Sequence, residues 1–560
     1  MKERYLDVME KALSAYPYEN IERYFNDVKQ NGLTEHGFPR LTANIGILIS
    51  HRRRTELLPI FLEMMDFCCE TIPTVKAAND FSVREIVCCI RETEKSDAVP
   101  KEKTNRWRSL LAAIEPTSCY NKFATSPTDT VRNWALFTAV SEYFRMSAGI
   151  GGDMEFIELQ LLQQLQWFDE NGMYKDRSSV DNHQPVVYDI APRGLLVILL
   201  NEGYNGKYRE QIDEILKKSA LFTLKMQSPT GELAFGGRSN QFIHNEGWLA
   251  TIYEYEAKRY NSEGNTALAK NFKAAADRAL SVSEDWLSKE PIRHIKNRFP
   301  TETKYGCESY AYFDKYMITA ASFFYTAYLV CDESIPTEPQ KDRAPCVWQT
   351  SKHFHKLFLK SGGYGLEFDI DADPQYDASG LGRVHREGAP SAICLSCPCP
   401  AEPSYTTDTE KPVPLSLCSG IKRENGEWEF ASFGQATYED IKTYCGESKC
   451  EAEMLCGYSD NIFVKEKYTV SENGVEIKIS GNGEIAYSLP AFSFDGENST
   501  EITLSGNSLC VDYEGYRCSY TASEAIIETM VTANNRNGYY KLFYTHGTDN
   551  ITINIKIQAL

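Results

Sequence analysis

The chain has 560 residues, of which 42% are hydrophobic and 24% charged. That is ample apolar material for packed cores, and it excludes a disordered chain, a collagen-like fibre and a small disulfide scaffold. Formal net charge is −19, from 59 Lys and Arg against 78 Asp and Glu. Such a surface repels phosphate backbones and argues against a nucleic-acid partner.

The start, Met1-Lys2-Glu3-Arg4-Tyr5-Leu6-Asp7, lacks the charged-then-apolar order of a secretory leader. No apolar run reaches the roughly 18 residues of a membrane span. The expectation is a cytoplasmic protein with no membrane partner. The 17 cysteines then read as reduced thiols, several of them inside apolar helical patterns (Cys68-Cys69 and Cys88-Cys89). The run Cys394-x-x-Cys397-x-Cys399 has no second ligand pair at matching spacing, so neither a metal nor another cofactor is called for. A homo-oligomer is compatible with this composition, which fixes no subunit number.

In chain order, amphipathic, charge-rich helical patterns cover 4–30, 54–70, 103–114, 153–169, 207–226 and 264–288. Between them lie patterns that are apolar on nearly all sides, over 40–50, 81–93, 128–146, 185–202, 241–260 and 310–330. A helix with one polar face belongs outside, and one apolar all round belongs inside. Six outer–inner pairs, repeating at roughly 40 to 70 residues, predict a closed ring of helical hairpins, an (α/α)6 toroid over 1–335.

Past a Pro-containing linker, Glu333 to Pro345, the period changes. Val475-Glu476-Ile477-Lys478-Ile479, Glu501-Ile502-Thr503-Leu504 and Asn550 to Ile557 alternate strictly. The first of these is bounded by the turn signals Glu472-Asn473-Gly474 and Gly481-Asn482-Gly483. This predicts an antiparallel β-sandwich over 346–560, and hence an α+β multidomain chain.

In such a ring the inner helices run parallel, so the loops before them meet at one mouth. Those loops hold Glu35-His36-Gly37-Phe38-Pro39-Arg40, then Asp129 to Asn133-Trp134, then Asp181-Asn182-His183 with Tyr188-Asp189. Next come Arg238-Ser239-Asn240 with His244-Asn245-Glu246, and finally Glu308-Ser309-Tyr310-Ala311-Tyr312 with Asp314. Some of these have plain structural roles open to them: Asp129 and Asn240 suit helix caps, and Asp189 suits an ion pair with Arg193 one turn on. The concentration of His, Asn, Arg, Glu and Tyr at one place still points to a cavity, since buried polar groups cost stability unless partnered.

Arginine with amides and aromatic rings suits a sugar carrying a carboxylate. Two chemistries fit these residues. Hydrolysis would draw on Asp181, Asp189, Glu246, Glu308 or Asp314. β-Elimination would use Asn or Arg on the carboxylate and His183, Tyr188, His244 or Tyr310 for proton transfer. In the β-region, Tyr376 to Arg386 interrupts the strand pattern. It is expected to reach over the mouth and bring His385 or Arg386 to it.

The ordered set Gly37-Phe38-Pro39-Arg40, Asn133-Trp134-Ala135-Leu136-Phe137, Asn171 to Asp176 and Gly237-Arg238-Ser239 resembles a bacterial family first catalogued as a domain of unknown function. Its pattern is a GF-x-R start, an NW-x-LF helix, a GWY-x-D turn and a GRS loop. The resemblance spans roughly 35–250. It implies an exo-acting β-glucuronidase on an (α/α)6 toroid with a C-terminal β-domain. The chain departs from the pattern after Ser239, where Asn240-Gln241-Phe242-Ile243 replaces Leu-Thr-Tyr-Arg. A shorter stretch, Asn182-His183 with Tyr188-Asp189, is similar to a motif of heparinase II/III-type and alginate-type polysaccharide lyases.

The leading expectation is hydrolysis of a uronic-acid-containing oligosaccharide at a chain end. Asp181, Glu246 or Glu308 would act as acid and base, with His183, Tyr188 and His244 at the reacting centre. Arg238 and Arg40 would hold the carboxylate. Asn133, Trp134, Asn182, Asn240, Asn245, Tyr310, Tyr312, His385 and Arg386 would line the sugar. β-Elimination is the alternative, and a non-catalytic sugar-binding protein is the third.

Overall fold

The computed structural model describes residues 1–176, 183–338, 343–434 and 436–560. Its helices are α1 (Lys2–Leu13), α2 (Tyr18–Asn31), α3 (Gly37–Ser50), α4 (Leu58–Thr71), α5 (Val83–Ser96), α6 (Lys101–Leu111) and α7 (Pro116–Cys119). They continue as α8 (Trp134–Ser147), α9 (Met154–Leu165), α10 (Val186–Asn201), α11 (Arg209–Met226), α12 (Asn245–Ser262), α13 (Thr266–Ser288) and α14 (Phe313–Val330).

The two helix types differ in burial as the sequence predicts. Every residue of α3 from Gly37 to Ile49 is buried, whereas α2 buries only Ile21, Phe25 and Val28. The fully buried helices close a ring: α3 packs on α5, α5 on α8, α8 on α10, α10 on α12, α12 on α14, and α14 back on α3. The half-buried helices form the outer layer, with α4 against α3, α9 against α8, α11 against α10, α13 against α12 and α1 against α14. Two bonds fix the direction of one neighbouring pair: Arg40 reaches Thr319 and, a turn on, Asn44 reaches Ser322, so α3 and α14 run parallel.

Two expected helices change their bounds. The stretch 4–30 is two helices, α1 and α2, parted at Ser14–Pro17, because Pro17 cannot continue the hydrogen-bond ladder of α1. The helix expected from 128 begins at Trp134. Before it, Asp129 accepts from the backbone of Thr125 and Ser126 and ties a turn.

The β part starts at Cys346. Strands β1 (Cys346–Gln349), β2 (Lys356–Ser361), β3 (Tyr364–Asp369) and β4 (Gly380–Arg386) make a four-stranded antiparallel sheet. A second antiparallel sheet has eleven strands among the described residues, centred on Gly474–Phe494 paired with Tyr539–Ala559. Val475 faces Ile555, Ile477 faces Ile553 and Ile479 faces Ile551, all buried, as the alternation requires. The turn signal at Gly481–Gly483 is instead a bulge, where the register shifts between Ser480 and Glu484. The two sheets share one core, with Phe368 packed edge-on to Tyr468 at 4.7 Å. This is the expected sandwich.

The β part docks on the loop between α11 and α12. Arg383 Nη1 donates to the Leu233 carbonyl at 2.7 Å, Phe235 N donates to Glu367 at 3.0 Å, and Gly237 N donates to Asp377 at 2.9 Å. In the loop before α14, Glu308 accepts from Arg536 of the β part. Among the described residues, no helix is long and apolar enough to cross a membrane.

Candidate active site

The loops before the inner helices meet at the mouth next to the β part. From the α3, α5 and α8 side come His36, Phe81 and Trp134, ring against ring at 4.9 Å and 4.6 Å. From the α10 side comes Tyr188, and from the loop before α12 come Arg238 and Ser239. Tyr310 comes from the loop before α14. The Ser239 hydroxyl lies 3.4 Å from Tyr188 Oη and 3.0 Å from Tyr310 Oη. Arg238 Nε donates to Tyr310 Oη at 3.2 Å, and its guanidinium lies 5.3 Å and 5.4 Å over the Tyr188 and Tyr310 rings.

The backbone that presents this group is held in a shape a serine seldom adopts. Ser239 has φ +58°, in the left-handed region, which costs a non-glycine residue on the order of 1–3 kcal/mol. Its N–H donates to Glu308 Oε1 at 2.7 Å, and its carbonyl accepts from Asn245 Nδ2 at 3.0 Å. Asn240 Nδ2 ties the same loop to the Ala234 carbonyl at 3.0 Å. Asn240 and Asn245 therefore position the loop through its backbone, and their expected contact with sugar hydroxyls is replaced by that task.

Three of the expected acid–base carboxylates, Glu308, Glu246 and Asp189, are committed elsewhere, while Asp314 is exposed at the start of α14. Glu308 is buried and receives Arg536 Nη2 at 2.6 Å and Nη1 at 3.1 Å. Glu246 is fully buried and pairs with Lys296 Nζ at 2.5 Å, with Glu232 close by. Burial raises the Glu246 carboxyl, and Lys296 opposes the shift. Asp189 pairs with Arg193, as their spacing predicts, and also accepts Tyr174 N at 2.7 Å. Asp181 and Asn182 lie outside the described residues.

Arg40 is corrected in the same way. Its Nε and Nη2 both reach Glu85 (3.1 and 3.0 Å), and Nη1 reaches Thr319 at 3.1 Å. With its donors used inside the ring, it braces α3 against α5 and α14. Arg238 differs: among the described residues no carboxylate pairs with it. Burial opposes its charge, yet Tyr188, Tyr310 and Tyr376 together raise its pKa above the ordinary guanidinium value.

Below this group, His244 sits among Phe242, Tyr316 and Phe323, with ring distances of 5.6, 4.9 and 5.6 Å, and its Nδ1 has no hydrogen-bond partner. Burial, with Arg40, His294 and Lys296 adding to it, lowers its pKa to about 3. It is a neutral imidazole at the floor of the mouth. Asn133 is buried directly before α8, and Tyr312 is half exposed at the rim under Lys304.

The β part contributes a different residue from those expected. The segment 380–386 is strand β4, not a loop over the mouth. His385 is buried, with Nδ1 3.0 Å from Thr230 Oγ1. Arg386 bonds the Gly362 carbonyl and lies 4.5 Å over the Tyr364 ring. Arg386 belongs to the packing of the β part, and His385 joins the β part to the toroid loop at Thr230. Tyr376, at the start of the same segment, is the one that approaches Arg238 and Tyr310. Its signal in the sequence was its place in an irregular stretch that also carries His and Arg, which drew attention to the wrong end.

His183 faces the β part. Its Nε2 lies 3.7 Å from Asp371, which is also 3.7 Å from His355 Nδ1, and the two imidazoles are 5.3 Å apart. The nearby Asp371 carboxylate raises the His183 pKa against the effect of burial. The ligand atoms of His183, His355 and Asp371 all lie within 4.8 Å of one another, a set with the donor types to hold a divalent cation. Those ligands come from three separate segments, so no spacing in the sequence announces them. The Cys394–Cys399 run is buried packing, with Cys394 beside Tyr520 and Cys397 beside Asn537.

No family model and no curated protein matches the chain. Among solved structures, it superposes on the heparan sulfate lyase HepC of Pedobacter heparinus with a TM-score of 0.47 and 8% identity, covering 86% of this chain and 68% of that one. It superposes on the Streptomyces coelicolor A3 chondroitin AC lyase, solved in complex with chondroitin sulphate, with a TM-score of 0.47 and 10% identity over 100% of this chain and 80% of that one. A heparinase III gives 0.45 and 9% over 90% and 74%. Likeness at that level carries nothing about chemistry.

Proposed function

We propose that the chain cleaves a uronic-acid-containing oligosaccharide by β-elimination. The observation that carries this is Arg238, a guanidinium with no carboxylate partner among the described residues, ringed by phenol groups, while Glu246 and Glu308 are already neutralised by Lys296 and Arg536. A hydrolase needs two carboxyl groups open to the glycosidic bond. Elimination needs a cation on the carboxylate and two proton-transfer groups, and that is the set found here.

In this reading the two Nη groups of Arg238 take the uronate carboxylate as a charge-assisted pair, which makes the neighbouring C5 proton more acidic. Tyr310, entering the step as a phenolate whose oxygen accepts from Arg238 Nε, removes that proton and becomes the neutral phenol. Electrons from the C5–H bond form the C4–C5 double bond as the C4–O bond breaks. Tyr188, kept protonated chiefly by burial and further by Tyr310, gives its proton to the leaving oxygen. Ser239, between the two phenols, returns a proton from Tyr310 to Tyr188 and resets the site.

Steady-state kinetics on uronate oligosaccharides tests the assignment. Arg238→Ala and Tyr310→Phe should each lower kcat/KM by roughly 10²–10⁴-fold. Glu246→Gln should keep kcat within about tenfold, its loss falling on stability instead. An inactive Glu246→Gln beside an active Tyr310→Phe would return the chain to hydrolysis.

A further inference from the structure

Helix α2 stands outside the ring, inserted between outer helix α1 and inner helix α3. One face is held to the toroid: Ile21, Phe25 and Val28 are buried, and Phe25 stacks on Phe38 at 5.5 Å. Its other flank walls a cavity of about 610 Å³, closed on the far side by the first turn of α14. That volume lies within the roughly 300–1,000 Å³ of small-molecule sites.

The lining has the chemistry of a sugar site. Tyr16, Tyr24 and Tyr312 present rings, and Asn20, Arg23 and Lys315 present donors. Most polar groups here are already engaged: Tyr24 donates to Glu35 at 2.6 Å, Lys315 lies 3.4 Å from Glu35, and Arg23 donates to Asn20 at 3.1 Å. Asp314, which is exposed, has no such partner among the described residues, and neither does Tyr16. Tyr16 is 4% exposed, and its hydroxyl has no hydrogen-bond partner. A buried phenol left unsatisfied costs stability that a ligand hydroxyl would recover. Two cations, Arg23 and Lys315, face three carboxylates, Asp27, Glu35 and Asp314. That balance favours a neutral, hydroxyl-rich ring over a second anionic one.

The cavity adjoins the mouth. Glu35 and Gly37 flank His36, and Tyr312 is two residues from Tyr310. We propose that this cavity is a second sugar subsite, taking a neutral ring of the same oligosaccharide whose uronate lies at Arg238. The proposal rests on the functional reading above for its oligosaccharide ligand and for the uronate held at Arg238, but not on the elimination step.

The test is calorimetric titration of the full chain, in the Tyr310→Phe background that keeps the ligand intact, with uronate oligosaccharides lengthened by successive neutral rings. Affinity should rise about tenfold when the added ring reaches the cavity, and Tyr16→Phe and Arg23→Ala should each remove most of that gain. Arg23 is on the surface, so its variant decides the matter should Tyr16→Phe fail to fold. A length-dependent gain that survives both substitutions overturns the subsite, as does affinity that never rises with length. If the gain is present and lost in the variants while the unsubstituted protein forms no product, elimination fails and the subsite stands. A chain that binds none of the series overturns both.

Discussion

Five histidines, His36, His244, His294, His353 and His385, are held below the ordinary imidazole value, each chiefly by burial. For His385, whose pKa falls to about 3, Arg383 adds to the effect and Glu232 opposes it. The unfolded chain takes up a proton near the ordinary value of about 6.5, and the folded chain does not until far lower pH. Stability linked to His385 is therefore constant above that value and lost progressively as pH falls from about 6.5 toward 3. Urea unfolding across this range measures the slope. His385→Gln should make it shallower by up to about 1.4 kcal/mol per pH unit between pH 6 and 4, whereas identical slopes would show that His385 is protonated in the native state.

The same scale explains which site residues the sequence could reveal. Arg238, Ser239 and Tyr310 stand in loops, and Tyr188 in the first turn of α10, that the toroid argument itself picks out, because parallel inner helices bring their N-terminal ends together. What the sequence could not reveal is which charges cancel. Glu246 finds Lys296 fifty positions away, and Glu308 finds Arg536 at a separation of 228. Residue types near the mouth suggested free carboxylates, and distant partners removed them.

At the scale of the helices, the deep burial of α3, α8, α10 and α14 follows from their largely apolar sequence, which is why the ring was legible before any coordinates. Helices α5 and α12 carry their apolar residues among charged ones that are exposed only towards the helix ends. Close approach inside the ring depends on single glycines. A β-carbon on Gly46 would stand 2.3 Å from Cys89 Sγ and 2.4 Å from the Phe61 ring, so α3 meets α4 and α5 through a contact only glycine permits. Gly46→Ala should cost about 1–3 kcal/mol in overpacking, against about 1 kcal/mol gained in helix propensity. A lower urea midpoint at unchanged slope is the expected result, and a raised midpoint would mean the neighbours yield freely. The split at Pro17 and the bulge at Ser480–Glu484 were not legible in the same way. Proline in the first case cuts a pattern whose amphipathicity continues on both sides, and glycine in the second serves a strand rather than a turn.

At the scale of the whole molecule, the mouth belongs to both halves. The toroid supplies Tyr188, Arg238, Ser239 and Tyr310. The β part supplies Tyr376 and the bonds through Glu367, Asp377 and Arg536 that hold the Arg238 loop and Glu308 in place. The fold is thus a ring whose open end is finished by a sandwich, and the chemistry proposed here sits where they join. Mass spectrometry of products from a uronate oligosaccharide tests this account most directly. Elimination predicts product masses that sum to the substrate alone, one product carrying the unsaturated ring, with formation abolished in Arg238→Ala. Product masses that sum to the substrate plus one water would contradict it and make the chain a hydrolase.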